Sequence, residues 1–269
     1  MTRLSIFAMS MIVALALFAM TAPSAQAGAL PAVSGSNLVF HIDAGDISGL
    51  SDGDSVSTWT AAAGPNASQG NADYQPVYRA SATPMGTAGV DFDQADDHLD
   101  LDSPMGDAAS IFFVVQYKEF GEQQMMMGNS AASQKFGHRS GVLFMDGVNY
   151  APRAFSSTDT HVHSWQKNAS GNPGTWLEDG VDIGGTVQTF SFTGGSVIGA
   201  ERSAVHQWGA DNLGPAAVIS EIVAYDTELS ASDRAAVSAH LVAKHIIPEP
   251  SSLVLVCLSG LLALRRRSR

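Results

Sequence analysis

Cysteine and positive charge are both scarce in this chain. Cys257 is the only cysteine among 269 residues, and it lies near the C-terminus. Residues 28–247, which we expect to form the folded protein, therefore have no thiol. This excludes disulfides and a cysteine nucleophile there. Without Arg3, the four C-terminal arginines and Glu249, this stretch has 9 basic and 25 acidic residues, a net charge of −16. Such a charge disfavours binding to nucleic acid and anionic lipid and favours cations.

Long apolar runs are confined to the two ends. At the N-terminus, Arg3 precedes an apolar run over Leu4–Met20, and Ala25-Gln26-Ala27 supplies small residues before Gly28. This order is typical of a secretory signal peptide, so we expect residues 1–27 to be removed by signal peptidase. An uncleaved N-terminal membrane anchor is the alternative.

The C-terminal segment, residues 248–269, has three parts in a fixed order. Pro248, Glu249 and Pro250 precede an apolar run over Leu253–Leu264, and Arg265, Arg266 and Arg267 follow it. As a helix, the run would rise only about 18 Å, whereas a bilayer core is about 30 Å thick. A short span that ends in arginines suits a transient sorting signal better than a permanent anchor.

These three parts resemble the PEP-CTERM sorting signal of Gram-negative bacteria. The resemblance implies processing by an exosortase after transient contact of the C-terminal helix with the inner membrane. It also implies that the protein works at the cell surface or in the extracellular matrix.

Short apolar stretches separated by turn residues predict a β protein. The strongest strand candidates are Leu38–Ile42, Ser110–Gln116 and a half-buried strand over Val218–Tyr225. Gly141–Met145, Thr186–Phe192 and Ser196–Gly199 are weaker candidates, and Asp179-Gly180 is one of several turn signals.

One helix is expected over residues 231–245. Ser230 is followed three residues later by Asp233, which is the pattern of a capping box with Asp in place of Glu. Val237 and Leu241 lie one turn apart and would pack on the β structure. Gly28–Ser36 is expected to be a flexible leader.

Segments across residues 37–247 resemble laminin G-like, concanavalin A-like jelly rolls. The matching segments, in chain order, are 38–60, Gln75-Pro76, 89–99, 176–181, 198–200 and 219–225. The resemblance implies an all-β fold of two antiparallel sheets with one C-terminal helix. The fold hosts lectins, adhesion modules and glycosidases, so it does not decide function. Glycosidases of this fold carry a Glu-x-Asp-x-Glu strand, which is absent here.

The acidic stretch 91–102 is the best candidate for metal chemistry. Asp91, Asp93, Asp96 and Asp97 could supply carboxylate ligands for calcium, which takes 6–8 oxygens. A solvated acidic turn is the alternative. Asp159, His161 and His163 share one face of a predicted strand and form a weaker candidate, for zinc.

Exposed aromatic residues beside polar side chains are the candidates for glycan binding. Trp208 leads, with Asp211 and Asn212 close by in a loop-like stretch, and Trp176 is the second candidate. Trp165, Tyr74 and Tyr150 are weaker, and Trp59 is expected in the core. The sequence thus favours a non-catalytic module that binds extracellular polysaccharide or a surface protein. The alternative is a carbohydrate-active enzyme, a glycoside hydrolase or lyase on the same fold.

Overall fold

Two antiparallel sheets packed face to face form the framework of a computed structural model. The structure describes residues 29–93, 96–106, 108–118, 123–129, 134–139, 142–145, 148–154, 158–167, 175–183, 195–202, 206–207 and 217–247. Leu30–Ile246 form one compact unit. The sorting residues Pro248, Glu249, Pro250, Arg265, Arg266 and Arg267 lie outside the described residues, as does the signal peptide. No helix within the described residues is long and apolar enough to cross a membrane.

Eighteen strands and one helix are present in the described part of the chain. The first nine strands are β1 (Leu38–Asp43), β2 (Thr58–Trp59), β3 (Ala67–Ser68), β4 (Val77–Arg79), β5 (Gly89–Phe92), β6 (Leu99–Leu101), β7 (Ser110–Tyr117), β8 (Gln123–Asn129) and β9 (Gln134–Arg139). The others are β10 (Val142–Met145), β11 (Val148–Ala154), β12 (Thr160–Gln166), β13 (Thr175–Glu178), β14 (Val181–Asp182), β15 (Ser196–Ile198), β16 (Ala200–Arg202), β17 (His206–Gln207) and β18 (Ala217–Tyr225). Helix α1 spans Ala231–His245, and two 3-10 turns span Ala44–Asp46 and Ala72–Tyr74.

The sheet that carries the helix has the strand order β14-β13-β12-β7-β18-β5-β4, and β1 also pairs with β18. The second sheet has the order β11-β10-β9-β8-β15-β6-β3-β2, and β16 pairs with β17 apart from both. Antiparallel pairing between strands far apart in the chain is typical of jelly-roll-like sandwiches. The expected fold, an all-β sandwich of two antiparallel sheets with one C-terminal helix, is confirmed.

The main core lies between the two sheets. Alternate residues of each strand point inward, so Phe40, Trp59, Phe113 and Ile222 are fully buried there. Trp59 is therefore a core residue, as the sequence predicts.

A smaller core lies between helix α1 and the outer face of its sheet. Val237 and Leu241 of the helix are fully buried against Phe112 and Val223. Because one face of β18 packs into the sandwich and the other lies under the helix, all nine of its residues are buried. The expectation of a half-buried strand at Val218–Tyr225 was wrong for this reason. The helix bounds and the Ser230 cap are as predicted, since Ser230 Oγ accepts the N–H of Asp233 at 3.1 Å.

The N-terminal stretch before β1 belongs to the folded unit and is not a flexible leader. Leu30 and Val33 pack, partly buried, against the small core under the helix. The backbone N–H and the side-chain amide of Asn37 donate to the carboxylate of Asp226, at 2.9 and 2.7 Å. Ser36 also contacts Thr227. The compact unit begins at Leu30.

The hairpin between β13 and β14 is as the sequence predicts. Asp179 and Gly180 have φ angles of 51° and 81°. A two-residue turn with both residues in the left-handed region matches the twist of the flanking strands, and Asp-Gly is a favoured pair for it.

Candidate functional site

The predicted metal ligands separate into two groups. Asp91, on β5, is buried and ion-paired with Arg79 at 2.9 Å and with Lys118. Asp93 directly follows the strand, and its side chain lies close to those of Asp96 and Asp97. Asp91 therefore lies outside the group of ligand oxygens formed by Asp93, Asp96 and Asp97, and its carboxylate is paired with two cations instead.

Asp93, Asp96 and Asp97 form what we call the acidic turn. A ligand oxygen from each lies within 4.8 Å of the other two. The backbone N–H of Asp93 donates to Asp97 Oδ2 at 2.8 Å, and Asp93 Oδ1 accepts N–H groups of Asp96 and Asp97 at 3.3 and 3.4 Å. These bonds hold the three carboxylates side by side.

The electrostatics of the acidic turn favour an added cation. Burial, together with the charges of Asp93 and Asp96, raises the pKa of Asp97 to about 7, although the hydrogen bond from Asp93 opposes the change. Burial and the charge of Asp93 also raise the pKa of Asp96. Three carboxylates fit the preference of calcium for oxygen ligands, and backbone carbonyls and water would have to complete its 6–8 positions.

An exposed aromatic ring lies beside the acidic turn. Tyr74, in the 3-10 turn Ala72–Tyr74, is 37% exposed, and its ring lies over that of His98 with centroids 5.7 Å apart. His98 is buried. Its Nδ1 lies 2.8 Å from the carbonyl oxygen of Asp96, and its Nε2 lies 2.8 Å from the side-chain nitrogen of Gln69. We call Gln69, Asp73, Tyr74, Asp96 and His98 the Tyr74 patch.

Hydrogen bonds hold the backbone that carries Tyr74. Asn71 caps the 3-10 turn by accepting the N–H of Asp73 at 3.1 Å, and the N–H of His98 donates to the carbonyl of Tyr74 at 3.1 Å. Together with the ring contact to His98, these bonds present an exposed aromatic face bordered by carboxylates and amides. Such a surface can stack on the apolar face of a sugar ring and hydrogen-bond its hydroxyl groups.

The two tryptophans that the sequence favours for glycan binding do not belong to the Tyr74 patch. Trp208, Asp211 and Asn212 lie outside the described residues, so their role stays a prediction. Trp176 is 2% exposed, and its Nε1–H donates to His163 Nδ1 at 3.3 Å within the sandwich. The prediction that Trp176 faces a ligand was wrong. Strand alternation alone does not reveal whether a tryptophan points towards solvent or into the core.

The histidines of β12 have separate environments. His163 is fully buried beside Trp176, whereas His161 Nδ1 lies 2.8 Å from Asp179 Oδ2. That hydrogen bond raises the pKa of His161 and outweighs its burial. Burial alone would raise the pKa of Asp179, but hydrogen bonds from His161 and from the N–H of Val162 outweigh burial and lower it. The pair ties the hairpin to β12.

A third polar group, the Glu221 cluster, was not predicted from the sequence. It consists of Glu221 on β18, His41 and Asp43 on β1, and Lys244 and His245 at the end of α1. Glu221 is 1% exposed; its Oε1 lies 2.9 Å from His41 Nε2, and its Oε2 lies 2.6 Å from Lys244 Nζ and 2.8 Å from His245 Nε2. Lys244 also contacts Asp43.

Charge compensation keeps Glu221 ionised. Burial alone would raise its pKa, but hydrogen bonds from His245, His41 and Lys244 hold the pKa of Glu221 well below its ordinary value. An ionised carboxylate only accepts hydrogen bonds, so both histidines donate through Nε2. Glu221 is therefore unsuited to act as a general acid.

Comparison with known proteins supports the fold only. No protein-family model matches the chain, and no curated protein matches it. Trypanosoma rangeli sialidase in complex with sialic acid has a TM-score of 0.55 and 12% identity, over 82% of this chain and 35% of that one. The binding domain of Paraclostridial Mosquitocidal Protein 1 has a TM-score of 0.50 and 9% identity, over 75% of this chain and 52% of that one. A receptor binding domain has a TM-score of 0.51 and 12% identity, over 76% of this chain and 51% of that one. This chain thus spans about a third of the sialidase and half of the two binding domains.

Proposed function

We propose that this chain is an exported, non-catalytic module that binds glycan at the Tyr74 patch, beside a calcium-binding acidic turn. The observation that carries the proposal is the exposed Tyr74 ring, held over buried His98 and bordered by carboxylates. The similar binding domains and the sialidase in complex with sialic acid support a ligand-binding role for the sandwich. At 9–12% identity, they do not identify the ligand.

Export is the part of the proposal that rests on the sequence. The signal peptide over residues 1–27 and the PEP-CTERM-like tail over residues 248–269 support passage across the inner membrane and sorting by an exosortase. The partner we propose is an extracellular polysaccharide or a surface protein that carries glycan. The net charge of −16 over residues 28–247 favours neutral glycans, or acidic glycans bridged by calcium, over bare polyanions.

A binding screen tests the proposal. The purified full-length chain is presented with neutral and acidic polysaccharides and matrix fractions, in millimolar calcium and in EDTA. We expect saturable binding to at least one glycan, weakened by EDTA. Binding to no glycan under either condition would contradict the proposal.

One observation favours an enzyme as the second candidate. The pKa of Asp97 is about 7, in the range of a general acid, and the carboxylates of Asp93 and Asp96 lie beside it. A glycoside hydrolase needs such an acid together with a second carboxylate. Asp97 is only 6% exposed, however, which limits its access to substrate. Release of reducing sugar from the same polysaccharides, abolished by Asp97→Asn, would favour the enzyme over the binding module.

A further inference from the structure

The Glu221 cluster brings together three side chains that could ligate one metal ion, those of His41, Asp43 and Glu221. Asp43 and Glu221 lie directly opposite each other in the antiparallel pair of β1 with β18. His41 is two residues from Asp43 and shares its face of the sheet. One ligand atom from each of these three residues lies within 4.8 Å of the other two. Because two paired strands carry all three, the donors are fixed by the backbone of the sheet.

The two carboxylates of this site require a cation. Like charges directly opposite each other in a strand pair are destabilising, and buried charges need partners. Lys244 Nζ meets the need, at 2.6 Å from Glu221 Oε2 and in contact with Asp43. The ammonium group therefore lies where a metal ion bound by the two carboxylates would lie.

The residues around the donors hold them in place. His245 Nε2 lies 2.8 Å from Glu221 Oε2, and Thr87 Oγ1 lies 2.7 Å from His245 Nδ1. Gly45 N–H donates to Asp43 Oδ1 at 2.8 Å. Hydrogen-bonded outer groups of this kind orient the ligands in metalloproteins.

We propose that His41, Asp43 and Glu221 form a site for a divalent metal of the zinc class, with Lys244 as a displaceable resident cation. An imidazole nitrogen with two carboxylates suits zinc, whereas calcium prefers six or more oxygens. Lys244 is in the last turn of α1, its side chain is 18% exposed, and its four-carbon stem is flexible. It can therefore move to solvent when a metal enters. His41 would then bind the metal as the neutral ring, through a nitrogen that carries no proton, and water would complete the coordination.

The test is zinc binding by the EDTA-treated full-length chain, followed by calorimetry and thermal melting. Zinc at about one hundred times its dissociation constant should raise the melting temperature by roughly 5–10 °C. Lys244→Met removes the competing cation and should bind zinc more tightly than the wild type. His41→Asn should weaken zinc binding by about tenfold or more, since the loss of even an outer-shell partner costs about 10–100-fold.

Two control variants show whether zinc binds at His41, Asp43 and Glu221 or elsewhere on the chain. Lys118→Met also takes a lysine from a buried carboxylate, Asp91, and should leave zinc affinity unchanged. Asp93→Asn alters the acidic turn and should leave it unchanged as well. A wild-type chain that does not respond to zinc overturns the proposal whether or not the variants fold. Zinc binding that survives His41→Asn unchanged overturns it too.

Discussion

Asp97 gives the stability of this protein an unusual dependence on pH. Its pKa is raised in the folded state, so the folded chain holds the proton more tightly than the unfolded chain does. The contribution of Asp97 to stability is therefore most favourable below its ordinary pKa of 3.8, falls as the pH rises towards about 7, and stays at its lower level above that. An asparagine at position 97 carries no charge at any pH, so Asp97→Asn should abolish this loss of folding stability at high pH.

The size of the effect follows from the two pKa values. A pKa raised from 3.8 to about 7 corresponds to ~4 kcal/mol at about 1.4 kcal/mol per pH unit. An asparagine keeps an oxygen that can accept the N–H of Asp93, so the turn should retain its 2.8 Å hydrogen bond. We expect the variant to be more stable than the wild type by up to ~4 kcal/mol at pH 8, and about equal to it at pH 4.

Urea unfolding of the full-length chain at pH 4, 6 and 8, without calcium, measures the difference. Asp102→Asn is the matched control, since Asp102 belongs to the same acidic stretch but is exposed. We expect it to change stability by less than about 0.5 kcal/mol at each pH. An Asp97→Asn variant that is no more stable at pH 8 than at pH 4, relative to wild type, would refute the reasoning.

The effect of calcium on the melting temperature tests the acidic turn in a second way. At pH 8, millimolar calcium should raise the melting temperature of the wild type, because the ion compensates the charge of the acidic turn. The rise should shrink in Asp97→Asn. A wild-type midpoint that is equal in calcium and in EDTA would exclude a calcium site in the turn.

Three further variants test the packing around the helix and the hairpin. Glu221→Gln should cost about 3–5 kcal/mol in urea unfolding, because it leaves buried cationic donors without their carboxylate. Ser230→Ala should cost about 1 kcal/mol through loss of the helix cap, with no change in binding. His161 stabilises the fold below its ordinary pKa and loses the effect as the pH rises; Asp179 does so above its ordinary pKa and loses it as the pH falls. Asp179→Asn should therefore lower stability mainly between about pH 4 and 6.5, by up to ~1 kcal/mol. A uniform loss across all pH values would contradict the ion pair.

Local signals in the sequence predict much of the sandwich. The apolar run that forms β7 and the Asp179-Gly180 turn depend on neighbouring residues only, as does the capped helix that begins after Ser230. The leader was misjudged because Leu30 and Val33 are isolated apolar residues in a stretch rich in small residues. Their burial depends on the helix, which lies about 200 residues later in the chain.

The sites were harder to predict because they depend on pairing between distant strands. His41 and Glu221 are 180 residues apart, and only the pairing of β1 with β18 brings them together. The cluster of Asp93, Asp96 and Asp97 could be predicted because it is local. The separation of Asp91 could not, since it follows from ion pairs with Arg79 and Lys118.

The central claim is that the Tyr74 patch binds glycan, and the affinity of Tyr74→Ala tests it most directly. The ligand is the best polysaccharide from the binding screen, titrated in saturating calcium. Val181→Ala is the control, since Val181 is an apolar side chain that is 63% exposed on the β13–β14 hairpin. We predict that Tyr74→Ala weakens binding by tenfold or more, equivalent to about 1.4 kcal/mol, and that the control binds like the wild type. Unchanged affinity in a folded Tyr74→Ala variant would contradict the claim.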